Sequence, residues 1–121
     1  MSISAFEHAK NVDIARVLLD TYYLIRTHGL DCKEEPPEGT VPLRLHEAMK
    51  LAMGEHPRTS LIRMNLEQRQ LFGAANWVLT ARMEQFHPPY GVLTEWLAEE
   101  ATTETVLALI ENILFDHGVK P

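Results

Sequence analysis

The sequence predicts an all-α fold, a compact bundle of about four to five helices with no sheet. Three observations carry this. Apolar residues recur at helical spacing in several separate segments, helix-capping residues bracket those segments, and no run alternates apolar and polar residues with β-branched enrichment. At 121 residues with 45% hydrophobic and 23% charged side chains, the chain is long enough to bury one core without disulfides or metal. No repeat, low-complexity tract or linker divides it, so residues 1–121 read as a single helical domain.

The elements follow in order. Ser4 can cap a short helical turn reaching Ala9, with a bend near Asn11 or Val12. Asp13 then opens a helix whose residues Ile14, Val17, Leu18, Tyr22 and Ile25 share a face, and Gly29 supplies a left-handed end. The stretch LDCKEEPPEGTVP is polar, with a proline pair and a glycine, and reads as a loop. Pro42 suits a first helical turn, where a missing N–H costs nothing. Leu45, Ala48, Met49 and Ala52 form the stripe of that helix, and Gly54 stops it.

Thr59 or Ser60 can cap a further turn. Asn65, with Gln68 three residues on, forms a capping box for a long helix that buries Phe72, Ala75, Leu79 and Met83 and ends before Pro88 and Pro89. A short helical turn covers Val92 to Leu97 and holds Trp96. The last helix starts after Thr102, places Glu104 in its positively polarised first turn, buries Val106, Leu109, Ile110 and Ile113, and stops at Gly118. Leu107, Leu114 and Phe115 lie off its main stripe, a surface that can pack against the fold or against a second subunit.

Chemistry finds few footholds in these residues. LHEAMKLAMGEHP carries His46–Glu47 and Glu55–His56 in mirrored order. On an unbroken helix the two histidines stand roughly 15 Å apart along the axis and about 80° apart around it. One zinc, with bonds of about 2 Å, cannot reach both. The zincin motif His-Glu-x-x-His puts its second imidazole four residues on, where this chain has Lys50, a cation. Cys32 sits in a polar loop with only His28 near it in sequence, and reads as an incidental thiol. Glu99 and Glu100 are adjacent, so on a helix they point about 100° apart rather than toward one substrate atom. Phosphate-cradling loops and nucleophile elbows are absent. No catalytic residue, metal ligand or cofactor is assigned.

The charge does have a shape. Residues 1–90 hold 11 acids and 10 bases, whereas residues 91–121 hold six acids (Glu95, Glu99, Glu100, Glu104, Glu111, Asp116) and one base, Lys120. A chain of net charge −6 with its acids gathered at one end repels phosphate backbones and suits a basic protein surface. The Arg residues, among them Arg58, Arg63, Arg69 and Arg82, are scattered and form no nucleic-acid stripe. MEQFHPPYG adds Phe86, His87 and Tyr90 around two prolines, a stiff aromatic connection of the kind that serves protein recognition. The candidate partner-binding residues are therefore Glu95, Glu99, Glu100, Glu104, Phe86, His87 and Tyr90. With no spanning apolar run, no signal peptide and one cysteine, the expected setting is the cytoplasm, away from membranes.

The helix ending in Gly29, the turn EGTVP, the helix HEAMKLAMG and the segment GVLTEWLAEEATTETVLALIENIL together resemble a family of small actinobacterial and actinophage proteins classed as a domain of unknown function. That family has Gly-Trp after its first helix, Asp-Gly with a Val-Cys pair before its second, and Trp-Asn followed by Thr and Glu-Val opening its last. Gly29, Gly39, Val41, Trp96, Thr102 or Thr103, Glu104 and Val106 match, over most of residues 12–115. Leu30 stands where the family has Trp, Pro42 where it has Cys, and Leu97 where it has Asn. The resemblance implies a small helical protein of an actinobacterial or phage genome and carries no site residues.

Two readings stay open. One is a non-catalytic protein-interaction module, such as a phage-encoded modulator or inhibitor of a host protein, acting through the acidic C-terminal face or the Phe86–Tyr90 loop. The other is a small-ligand or metal-binding protein or enzyme using His28, His46 or His87 in an interhelical pocket.

Overall fold

The computed structural model describes residues 5–32 and 39–121, with side chains from Asp13 onward. Five α-helices follow in order: α1 (Ala5–His28), α2 (Leu45–Ala52), α3 (Leu66–Phe86), α4 (Leu93–Glu99) and α5 (Thr103–Asp116), with a 3-10 turn at Leu61–Arg63 ahead of α3. Among the described residues there is no sheet; Leu30 and Leu43 form a lone parallel bridge. The fold is all-α, as the periodicity requires. One hydrophobic cluster draws on all five helices.

Helix α1 packs on α2, α3 and α5, and α3 also meets α4 and α5. Ile14, Val17, Leu18, Tyr22 and Ile25 are buried as their spacing demands. The helix continues through Asn11 and Val12, so the expected bend is not there. No Gly or Pro precedes Gly29 to break it. The Ser4 cap lies outside the described residues, as do Lys33 to Glu38 of the polar loop. Gly29 has φ 83° and donates its N–H to the Ile25 carbonyl at 2.8 Å, the left-handed ending its position implied.

Helix α2 corrects another expectation. Pro42 lies ahead of the helix, which begins at Leu45 with Arg44 at its cap. Long-range pairing decides this: Leu43 donates its N–H to the Gly29 carbonyl at 2.9 Å, and Asp31 donates to the Leu43 carbonyl at 2.8 Å. Those bonds hold the Pro42 region extended against the end of α1. The Glu47 carboxylate accepts from the Arg44 N–H at 3.0 Å, and Leu45, Ala48 and Met49 are buried. Gly54, at φ 80°, follows the helix end.

Asn65 caps α3 by accepting from the Gln68 N–H at 2.8 Å. The reciprocal half of the box is missing, because the Gln68 amide instead reaches the Met53 carbonyl at 3.4 Å. Phe72, Ala75, Leu79 and Met83 form the buried face of α3. In α5 the caps are reciprocal: Thr102 Oγ1 accepts from the Thr105 N–H at 3.2 Å, and Thr105 Oγ1 from the Thr102 N–H at 2.8 Å. Val106, Leu109, Ile110 and Ile113 are buried, and so is Leu114, which the periodicity had set aside. Leu107 is half-buried; of those three only Phe115, at 71%, stays exposed.

Polar ties fasten the helices to one another. Tyr22 Oη donates to Glu111 of α5 at 2.7 Å. Arg82 of α3 bonds Asp116, the Asn112 side chain and, at 3.3 Å, the Asn112 carbonyl. Leu30, buried after α1, donates its backbone N–H to Thr103 Oγ1 at 3.1 Å. Replacing Thr103 by the near-isosteric valine removes that acceptor and leaves a buried N–H unpaired, so T103V is expected to lose about 1–3 kcal/mol of stability in urea unfolding at unchanged helix content.

Candidate functional site

The connection from α3 to α4 is built from local constraints. Pro88 disfavours helical geometry in the residue before it, and α3 ends at Phe86 with the His87 N–H donating to the Met83 carbonyl at 2.8 Å. The Tyr90 N–H closes a turn onto the His87 carbonyl at 3.0 Å, and the Pro88–Pro89 peptide within it is cis. Helix α4 follows, with Trp96 1% exposed.

The aromatic residues of this turn divide. The His87 ring is half-buried and lies against Trp96, centroids 4.6 Å apart and planes 30° from parallel. It packs the turn onto the core. Phe86 is 52% exposed and Val92 is also exposed. Tyr90 is half-buried, and its hydroxyl donates to Glu99 Oε2 at 2.7 Å. The two features suspected separately in the sequence, the aromatic loop and the acidic end, therefore form one surface.

Helix electrostatics separate the four candidate glutamates. Glu95 lies in the first turn of α4 and Glu104 in the first turn of α5, where a carboxylate is stabilised by the positive end of the helix. Glu99 and Glu100 sit at the C-terminal end of α4, whose last turn carries no basic residue of its own to offset the negative end. Their placement works against the helix, and both are exposed. The hydrogen bond to Glu99, followed by partial desolvation and the nearby Glu100 charge, pushes the Tyr90 hydroxyl up to about 12.

Beside this pair lies a hollow of about 290 Å³ lined by Asp31, Cys32, Glu99, Glu100 and Thr102 among others. Among the described residues, three carboxylates border it and no cation or histidine does. Asp31 was invisible as a member of the acidic surface. It arrives through the Leu30 tie to Thr103, across 73 residues of sequence.

The mirrored histidines part company. His46 Nε2 lies 2.9 Å from Asn76 Oδ1, with its ring 5.5 Å from Phe72, while His56 Nδ1 accepts from the Arg58 N–H at 3.1 Å. Among the described residues no three His, Cys, Asp or Glu side chains converge in a way that would hold a metal. His46 does line an open cleft of about 990 Å³ with Glu47, Lys50, Arg58 and Thr94. His28 and His87 do not; His28 ends α1, its carbonyl accepting from Thr40 Oγ1 at 3.1 Å.

The Tyr90–Glu99 pair has a titration signature. A phenol whose folded pKa lies above its ordinary 10.0 contributes its stabilisation fully below that value and loses it as pH rises through about 12. In a near-ultraviolet absorbance titration, E99Q is expected to return one tyrosine toward the ordinary value, and Y90F to remove the same late transition. No family model, curated protein or solved structure matches the chain.

Proposed function

We propose that this chain is a non-catalytic protein-interaction module whose contact surface is the Tyr90–Glu99–Glu100 patch, flanked by exposed Phe86 and facing a basic surface on a partner protein. The observation that carries this reading is the Tyr90–Glu99 hydrogen bond, which joins an exposed aromatic turn to carboxylates that the helix dipole disfavours. A tyrosine held by a carboxylate and bordered by apolar surface supplies a rigid, half-polar anchor of the kind found at binding hot spots. Glu95 and Glu104, exposed in the first turns of α4 and α5, add to the acidic charge of these two helices, and Asp31 lines the small hollow with Glu99 and Glu100. The net charge of −6 disfavours direct nucleic-acid binding. Among the described residues no helix is long and apolar enough to cross a membrane. A cytoplasmic setting, and a phage-encoded modulator acting on an actinobacterial host protein, fit this reading.

The test pairs a captured partner with charge-neutral variants. The full chain, tagged at Met1, is used to capture partners from host lysate, and association with the purified partner is followed by surface plasmon resonance over a salt series. Combining E99Q, E100Q and E104Q is expected to slow association roughly tenfold at low salt and to flatten its salt dependence. The control E55Q changes neither. Equal association rates for wild type and the triple variant would remove the acidic patch as the contact.

A second reading has one observation behind it. In the 990 Å³ cleft, Lys50 and Arg58 join His46, and neither cation enters an ion pair among the described residues. Arg44 lines the cleft too, paired with Asp31, and Glu47 is the remaining carboxylate, so the excess of cations suits a small anionic ligand. Calorimetric titration with inorganic phosphate is expected to give a signal that K50A removes if this reading holds; heat unchanged by K50A counts against it.

A further inference from the structure

Helix α3 is apolar on two opposite faces, and the chain covers one of them. Phe72, Ala75, Leu79 and Met83 are buried. At about 100° per residue, the opposite side gathers Leu66, Gln70, Gly73, Trp77, Ala81 and Glu84. Trp77 is 74% exposed and Leu66 62%; Ile62, in the 3-10 turn just ahead, is 87% exposed. Gly73, Ala81 and Glu84 are exposed as well. The outward side of a solvated helix normally carries charge, yet the centre of this one carries a single ionisable group, Glu84, around a large exposed indole, with Glu67 and Arg69 exposed at its margins. Exposed apolar side chains gathered along one side of an element suggest an interaction surface.

We propose that this face binds a second copy of the same chain, with the two α3 helices antiparallel about a two-fold axis at Trp77. The residues are arranged symmetrically about that position. Four residues to either side stand the small residues Gly73 and Ala81, which meet across the axis and leave room for the two indoles to stack. A Cβ built on Gly73 would meet nothing within 4 Å, so the notch is open. Seven residues to either side stand Gln70 and Glu84, an amide donor opposite a carboxylate, and Arg69 lies next to the same pairing. Eleven residues to either side stand Leu66 and Pro88, an apolar side chain opposite the exposed proline corner. Such self-complementarity is what an isologous interface requires, since each contact must occur twice.

The face also has a definite scale. Helix α3, at 21 residues, gives each copy a strip on the order of 30 Å by 10 Å. At about 300 Å² per copy this is well below the roughly 800 Å² per partner of a standard interface, so it suits weak, transient self-association rather than an obligate dimer. It uses neither Glu99 nor Tyr90, and it adjoins the partner surface proposed above only at the Pro88 corner.

Sedimentation velocity on the full, untagged chain from roughly 1 to 200 μM tests the proposal, with tryptophan emission as a second readout. Monomers are expected to give way to dimers in the micromolar range, with a blue shift as Trp77 leaves water; Trp96 is buried throughout. W77K and G73L are each expected to leave a monomer with unchanged helix content. R69E and E84R should each weaken the dimer, and the double reversal should restore it, which a nonspecific sticky face would not do. A chain that stays monomeric at the highest concentration, or dimerises equally well as W77K or G73L, overturns the proposal. A double reversal that fails to recover association overturns the antiparallel register.

Discussion

The backbone around Leu30 is the constraint on which the rest of the arrangement hangs. Within three residues, the Gly29 carbonyl accepts from Leu43, the Leu30 N–H donates to Thr103 and the Asp31 N–H donates to the Leu43 carbonyl. The end of α1, the approach to α2 and the start of α5 are thereby tied at one buried point. Since a buried amide left unpaired costs more than a made hydrogen bond contributes, the three segments are held together by the need to satisfy these groups. Gly29 makes the knot achievable, because its left-handed backbone turns the chain out of α1 without the steric cost a side chain would add.

The acidic surface follows from that knot. Fixing Leu30 against Thr103 brings Asp31 and Cys32 beside the end of α4, where Glu99 and Glu100 stand. Tyr90 adds its hydroxyl from the other side. The patch thus collects carboxylates from two distant segments, and among the described residues Coulomb repulsion among them is eased by solvent, by the Tyr90 proton and by the Arg44 guanidinium 3.7 Å from Asp31. A basic partner would relieve it further. The local cost of gathering these charges and the capacity to attract a cationic surface are one electrostatic property.

The two surfaces differ in physical kind. The Glu99 side is polar and charged, which favours fast, salt-sensitive encounters. The outer face of α3 is apolar and nearly uncharged, which favours burial over steering. If the chain pairs through α3 as proposed, the dimer would present two acidic patches to one target, and linked contacts bind more tightly than either alone when their spacing matches the target.

Features within one turn of helix were legible in the sequence. The caps at Asn65 and Thr102, the stop at Gly29 and the buried stripes of α1, α3 and α5 depend on residues three or four apart, and each stands where local rules put it. The glutamates and the aromatic turn were legible as candidates, because charge clustering and proline pairs show in one dimension. Only the tertiary structure decided how they meet: that Tyr90 bonds Glu99, that His87 turns inward onto Trp96, that Asp31 joins the patch, and that α2 begins after Pro42. It also decided which apolar face of α3 is covered, since Phe72 and Trp77 obey the same helical period and differ only in what packs against them. The physical reason is range. Backbone propensity and capping act over a few residues, whereas burial and the pairing of charges act between segments whose proximity no local pattern encodes.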